Sequence, residues 1–74
     1  MKEEKAMDLK WTEGAEIAIR AEKGSATISA NREGLLSLAA HLTLLAQEKA
    51  GSHIHYDQWN ALEEDSAELI VEKI

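Results

Sequence analysis

One stretch of this chain has a helical period, and the segments on either side of it alternate. Asn31 is a strong helix start, because its side chain can accept from the unpaired amides of a first turn, and Glu33 follows where the helix dipole favours a carboxylate. Projected at about 100° per residue, Leu35, Leu38, Ala39, Leu42, Leu45 and Ala46 fall in one stripe, while Ser37, His41 and Glu48 lie outside it. Leu44 projects to the opposite side, with Leu36 and Ala40 toward it. Lys49 suits the last turn and Gly51 the left-handed position beyond it, so the pattern predicts a helix of about eighteen residues. A single amphipathic helix cannot bury its stripe alone, so the alternating segments must supply a sheet for it to cover.

Four segments have the strand period. Ala15 to Glu22 puts Ala15, Ile17, Ile19 and Ala21 on one face, and Lys23-Gly24 offers a tight turn into Ser25 to Ala30, where small apolar and hydroxyl side chains alternate. After the helix, His53 to Asp57 sends Ile54 and Tyr56 one way and His53, His55 and Asp57 the other. Ala67 to Lys73 points Leu69 and Val71 inward and Glu68, Ile70 and Glu72 outward. Between these last two lies a loop, 58–66, in which Trp59 and Leu62 stand one helical turn apart and are placed to fold over the edge of the core. The expected fold class is therefore α+β, in the order ββαββ, with one antiparallel sheet and a single amphipathic helix packed on one face. Residues 15–74 form the expected single domain. Residues 1–14 read as a loose N-terminal segment, in which the alternation of Met7, Leu9 and Trp11 suggests a short edge strand closed by a Glu13-Gly14 turn.

At 74 residues such a domain buries only about 60% of its unfolded surface, and with no cysteine it has neither disulfides nor thiolate-bound zinc to reinforce it. Self-association is one remedy, and Leu44 and Ile70 are the outward apolar residues that suggest a homodimer. The balance of 8 basic and 14 acidic residues, net −6, argues against a nucleic-acid surface, which needs clustered Lys and Arg. From Asp57 to Glu72 there are six carboxylates (Asp57, Glu63, Glu64, Asp65, Glu68 and Glu72) and no Lys or Arg. Such a run is either a solvated face or a docking surface that speeds encounter with a cationic protein. No apolar run suggests a membrane span and MKEEKAMDLK lacks the apolar stretch of a secretion signal, so a cytoplasmic protein is expected.

Candidates for chemistry are few. His53, His55 and Asp57 share one side of one strand, a His-x-His spacing able to chelate a transition metal, but Glu68, Glu72 or water would have to complete the set. The competing reading is of polar strand histidines that bond neighbours or touch a partner. His41, His53, His55 and the carboxylates lack a phosphate-binding glycine loop, a serine elbow or a nucleophile and base at recognisable spacing. Neither catalysis nor a cofactor is expected, and a binding module is the default.

The segments NREGLLSLAAHLTLLAQ and HIHYDQWNALEEDSAELIVEKI resemble the Immunity protein 32 family of bacterial polymorphic toxin systems. The likeness covers about residues 15–74. It rests on Glu33, Gly34, Leu35, Leu38 and Ala39 in the helix, His53, His55 and Asp57 in the strand, and Ser66, Glu68, Leu69, Ile70 and Lys73 at the end; Tyr56 stands where an aliphatic residue is expected. The resemblance implies a cytoplasmic protein that binds and blocks a cognate toxin, often encoded beside it, and the acidic run suits a basic toxin. The expected contact surface is His53, His55, Asp57, Trp59, Glu63, Glu64, Asp65, Glu68 and Ile70, with Trp59 either the aromatic anchor of an interface or a lid over the core. A homodimeric structural or regulatory domain and a His-x-His metal-binding module are the alternatives.

Overall fold

The computed structural model describes residues 8–74. Strands β1 (Ile17–Glu22) and β2 (Ser25–Ala30) form an antiparallel hairpin in which Ile17 faces Ala30, Ile19 faces Ile28 and Glu22 faces Ser25. The two-residue connection at Lys23-Gly24 requires a left-handed residue, supplied by Gly24 at φ 77°. Ile17 and Ile19 are buried, but Arg20, Ala21 and Glu22 are exposed, as is β2 up to the half-buried Ala30. Ala21, expected on the inner face, is exposed together with the rest of the turn end of the hairpin.

Helix α1 (Arg32–Ala46) begins at Asn31 as its composition predicts. The Asn31 side chain does more than cap: Oδ1 accepts from Gly34 N at 2.8 Å and Glu16 N at 3.0 Å, and Nδ2 donates to the Gly14 carbonyl at 2.8 Å. One residue thus joins the helix start to the approach to β1. The helix has 15 residues and is capped at Gln47; the amides of Gln47 and Glu48 bond back to the carbonyls of Leu44 and Leu45, tightening the last turn before Gly51 is reached.

The buried face of α1 is Gly34, Ser37, Leu38, His41 and Leu45. The expected stripe is corrected: Leu38 and Leu45 are inward, but Leu35 is 53% exposed, Leu42 is 44% exposed, and Ala39 and Ala46 are also at the surface. Leu44, expected opposite the core, is half-buried. At 100° per residue the helix is turned by about 90° from the expected orientation. Gly34 explains the rotation. A methyl group there would lie 2.6 Å from the Glu16 carbonyl oxygen and 2.9 Å from Ile17 Cγ1, so only glycine lets the first turn lie directly on β1. Two polar residues are buried in consequence, and both are satisfied. Ser37 Oγ donates to the Glu33 carbonyl at 2.9 Å and accepts from Thr12 N at 2.8 Å, while both ring nitrogens of His41 are bonded.

Strands β3 (His53–Tyr56) and β4 (Leu69–Glu72) make a second antiparallel pair, with Ile54 opposite Val71 and His55 opposite Ile70. Among the described residues there are two two-stranded sheets in place of the single expected sheet. The reason lies in the chain before β4. The Ile17 and Ile19 carbonyls accept from Glu63 N at 2.8 Å and Ala67 N at 2.9 Å, and Ser66 Oγ accepts from Ile19 N at 3.2 Å, so segment 63–67 occupies the outer edge of β1. It cannot continue as a strand, because a turn closes from Ser66 N to the Glu63 carbonyl and Asp65 takes φ 67°. The two hairpins are stitched together without sharing a ladder.

The core comprises Ile17, Ile19, Leu38, Leu45, Ile54, Tyr56 and Leu62. Of the expected N-terminal edge strand, Met7 lies outside the described residues, and residues 8–14 contain a Glu13-Gly14 turn but no strand. Leu9 packs against the core there.

Replacing Gly34 by alanine improves intrinsic helix propensity by about 1 kcal/mol but forces the first turn away from β1. The clash with a backbone carbonyl puts the overpacking at the upper end of its usual range, about 2–3 kcal/mol, so Gly34→Ala is expected to lower unfolding free energy in urea by a net of about 1–2 kcal/mol. A variant as stable as the parent would show that the close approach does not set the rotation of α1.

Candidate functional site

The outer side of the β3–β4 pair is polar at one strand and mixed at the other. His53 and His55 are exposed while Ile54 and Tyr56 are buried, as the alternation predicts. His55 Nε2 lies 3.2 Å from Glu68 Oε2, and His53 Nδ1 lies 3.4 Å from the Gly51 carbonyl. On β4, Ile70 is 58% exposed beside exposed Glu72, and both face the histidines across the pair.

Asp57 has a different task from its strand neighbours. Its Oδ1 accepts from Trp59 N at 3.0 Å and Asn60 N at 3.1 Å, and its backbone carbonyl accepts from Asn60, Ala61 and Leu62. Asn60 reciprocates, with Oδ1 accepting from Asp57 N at 3.1 Å and Nδ2 donating to the His55 carbonyl at 3.1 Å. This mutual arrangement has the logic of a capping box and ties residues 57–62 into a compact turn. Asn60 was not among the predicted site residues; the Asp-x-x-Asn spacing was its available signal.

The turn separates the two residues expected to fold over the core edge. Leu62 does so, at 5% exposure, whereas Trp59 points away at 85%. Gln58 Oε1 accepts from Asp65 N at 3.2 Å, drawing the acidic stretch back toward the tryptophan. Gln58, Trp59 and Glu64 line a shallow hollow of about 160 Å³, and Glu63, Glu64 and Asp65 are all exposed. An aromatic ring among carboxylates on an ordered loop is thus the main surface feature at this end of the molecule.

His41 belongs elsewhere. It is fully buried on the inner side of β3, its Nδ1 2.8 Å from the Tyr56 hydroxyl and its Nε2 2.7 Å from the Lys10 carbonyl. A carbonyl only accepts, so Nε2 carries a hydrogen, and in the neutral ring Nδ1 accepts from the Tyr56 hydroxyl. Trp11 meets the imidazole edge-on, with centroids 4.5 Å apart, and Tyr56 stacks on it at 5.8 Å. The cluster fastens residues 10–12 to α1. Because His41 faces inward and His53 and His55 outward, the three histidines do not assemble. Nor, among the described residues, does any group of three or more His, Asp or Glu converge in a way that would hold a metal ion.

The Immunity protein 32 family model matches residues 25–74, more than half of the chain, and the chain belongs to that family. The match takes in β2, α1, β3, the Asp57–Asn60 turn, the acidic loop and β4. No curated protein and no solved structure matches the chain. No helix among the described residues is long and apolar enough to cross a membrane.

Burial pushes the Tyr56 hydroxyl up to about 12 from an ordinary 10. The folded state therefore holds this proton more tightly than the unfolded chain, and the resulting stability is fully present below pH 10 and lost as pH rises through about 12. The loss amounts to about 2–3 kcal/mol. Tyr56→Phe should cost about 1–3 kcal/mol at neutral pH, by leaving His41 Nδ1 unpaired, and should lack this alkaline loss. Urea titrations of the two proteins are expected to converge between pH 10 and about 12. A constant gap would exclude Tyr56 as the titrating group.

Proposed function

We propose that this chain protects its producer by binding a cognate toxin and covering the surface the toxin needs, acting by occupancy and not by catalysis. Family membership supports an immunity role. The observation that carries the choice of surface is Trp59, 85% exposed yet standing on a turn held by the reciprocal bonds of Asp57 and Asn60. A backbone already held in place loses little freedom on docking, and an exposed indole carried on it is the kind of side chain that dominates interface energies.

The expected contact surface then divides by role. Trp59 is the anchor and Ile70 a second apolar contact. Glu63, Glu64, Asp65 and Glu68 form an acidic rim suited to a basic toxin, with His53 and His55 at its border, while Asp57 acts from beneath by holding the loop. With six carboxylates and no Lys or Arg between Asp57 and Glu72, this side attracts cations at a distance, which raises the association rate more than it deepens the final complex. A cytoplasmic site of action fits a partner made in the same cell.

Co-expression with the toxin candidate encoded beside this gene is the direct test, and growth is expected only when the chain is present. With the purified pair, Trp59→Ala should weaken binding by at least about 30-fold, the effect of an interface anchor worth 2 kcal/mol. Glu63→Lys with Glu64→Lys should slow association and flatten its salt dependence. Loss of growth despite abundant folded protein would reject immunity to that toxin, whereas unchanged affinity of Trp59→Ala would reject this surface alone.

A further inference from the structure

β2 has one partnered edge. Asn31 N donates to the Glu16 carbonyl, continuing the β1–β2 ladder, so the opposed pairs at even spacing from it, Ala18 with Ser29, Arg20 with Thr27 and Glu22 with Ser25, are those that exchange hydrogen bonds. The intervening residues Ala26, Ile28 and Ala30 consequently turn their N–H and C=O groups away from β1. Among the described residues, no hydrogen bond reaches these groups. Natural sheets protect such edges with lysine, proline, a bulge or a very short strand. The segment SATISA has six residues, no charge and no proline, and its register with β1 has no bulge.

We propose that the free edge of β2 is a self-association site, at which a second copy of this chain adds antiparallel to make one four-stranded sheet, β1-β2-β2-β1. A two-fold axis at Ile28 pairs Ile28 with the partner subunit's Ile28, and Ala26 with the partner subunit's Ala30, satisfying the outward backbone groups of both copies. The side chains agree with this register. Ile19, 2% exposed, lies opposite Ile28, which is 48% exposed. Across the axis the partner's Ile28 covers the open half of Ile28, extending the apolar row from Ile19 through both copies. Gly34 packs on Ile17 and Ala30, on the face that also carries Ile28, so both helices sit on one side of the joined sheet.

Charge selects a second copy over a basic partner. The chain carries net −6, and two copies repel wherever acidic faces meet, but Ser25–Ala30 is uncharged. Its ends carry both signs, Glu22 with Lys23 at one and Arg32 with Glu33 at the other, so antiparallel pairing opposes no like-charged cluster. A cationic toxin gains nothing electrostatically at this edge and is drawn to the 57–72 side. The two surfaces are distinct, and the proposal does not depend on the immunity reading.

Sedimentation of the full chain up to about 1 mM tests it, with expected self-association of dimer stoichiometry. Ile28→Lys, which sets like charges opposite each other on the axis, should weaken association at least tenfold while circular dichroism stays unchanged. A positive test uses the absence of native cysteine. Opposed residues of a hydrogen-bonded antiparallel pair have Cα atoms about 5.5 Å apart, within disulfide range, so Ile28→Cys should give a covalent dimer on mild oxidation while Ile70→Cys should not. A parent chain that remains monomeric, a dimer unaffected by Ile28→Lys, or equal crosslinking at both positions would each overturn the proposal.

Discussion

The structure depends on the contact between the first turn of α1 and the backbone leading into β1. Gly34 removes the side chain that would collide with the Glu16 carbonyl, and Asn31 bonds simultaneously to Gly34, Glu16 and Gly14. Close approach and polar fastening operate within four residues of chain. Together they set how far the helix stands from the hairpin and which of its faces turns inward. The identity of the core follows from that orientation, including the burial of Ser37 and His41 and the exposure of Leu35 and Leu42. In a chain with so few large core side chains, one short backbone contact directs the packing of most of them.

Much of this was legible in the residue pattern, for reasons that separate local from long-range information. The hairpin, the start at Asn31, the inward Ile54 and Tyr56 and the outward histidines follow from alternation, turn chemistry and capping, which neighbouring residues decide. The rotation of α1 was not legible from hydrophobicity, because a leucine-rich helix offers two overlapping stripes and Leu38 and Leu45 belong to both. The choice was made by a glycine's lack of volume and by partners for Ser37 and His41 that lie 25 and 31 residues away in sequence. The sheet divided for a similar reason: the positive φ of Asp65 cannot be read from alternating residues that resume immediately afterwards.

The candidate surface shows the same division. That Asp57, His53 and His55 leave one strand on one side was visible, and a shared side suggested a shared purpose. Their contacts assign separate ones: Asp57 builds the loop, His55 pairs with Glu68, and His53 faces the Gly51 carbonyl. Trp59 and Leu62 likewise looked equivalent at one-turn spacing until the turn sent one outward and the other into the core. Spacing establishes which residues can act together, and backbone hydrogen bonding decides which of them do.

The stitch between segment 63–67 and β1 has a thermodynamic consequence. The residues that present Glu63, Glu64 and Asp65 to solvent also hold the outer edge of the strand that carries Ile17 and Ile19. Opening the loop therefore unzips a core strand, and immobilising the loop restrains the core. For a ligand engaging these carboxylates, part of the binding free energy is retained as resistance to unfolding. Amide protons of β1, the strand to which this segment is bonded, would then report occupancy through slowed exchange. In so small a protein the proposed contact surface and the folding unit are the same cooperative object.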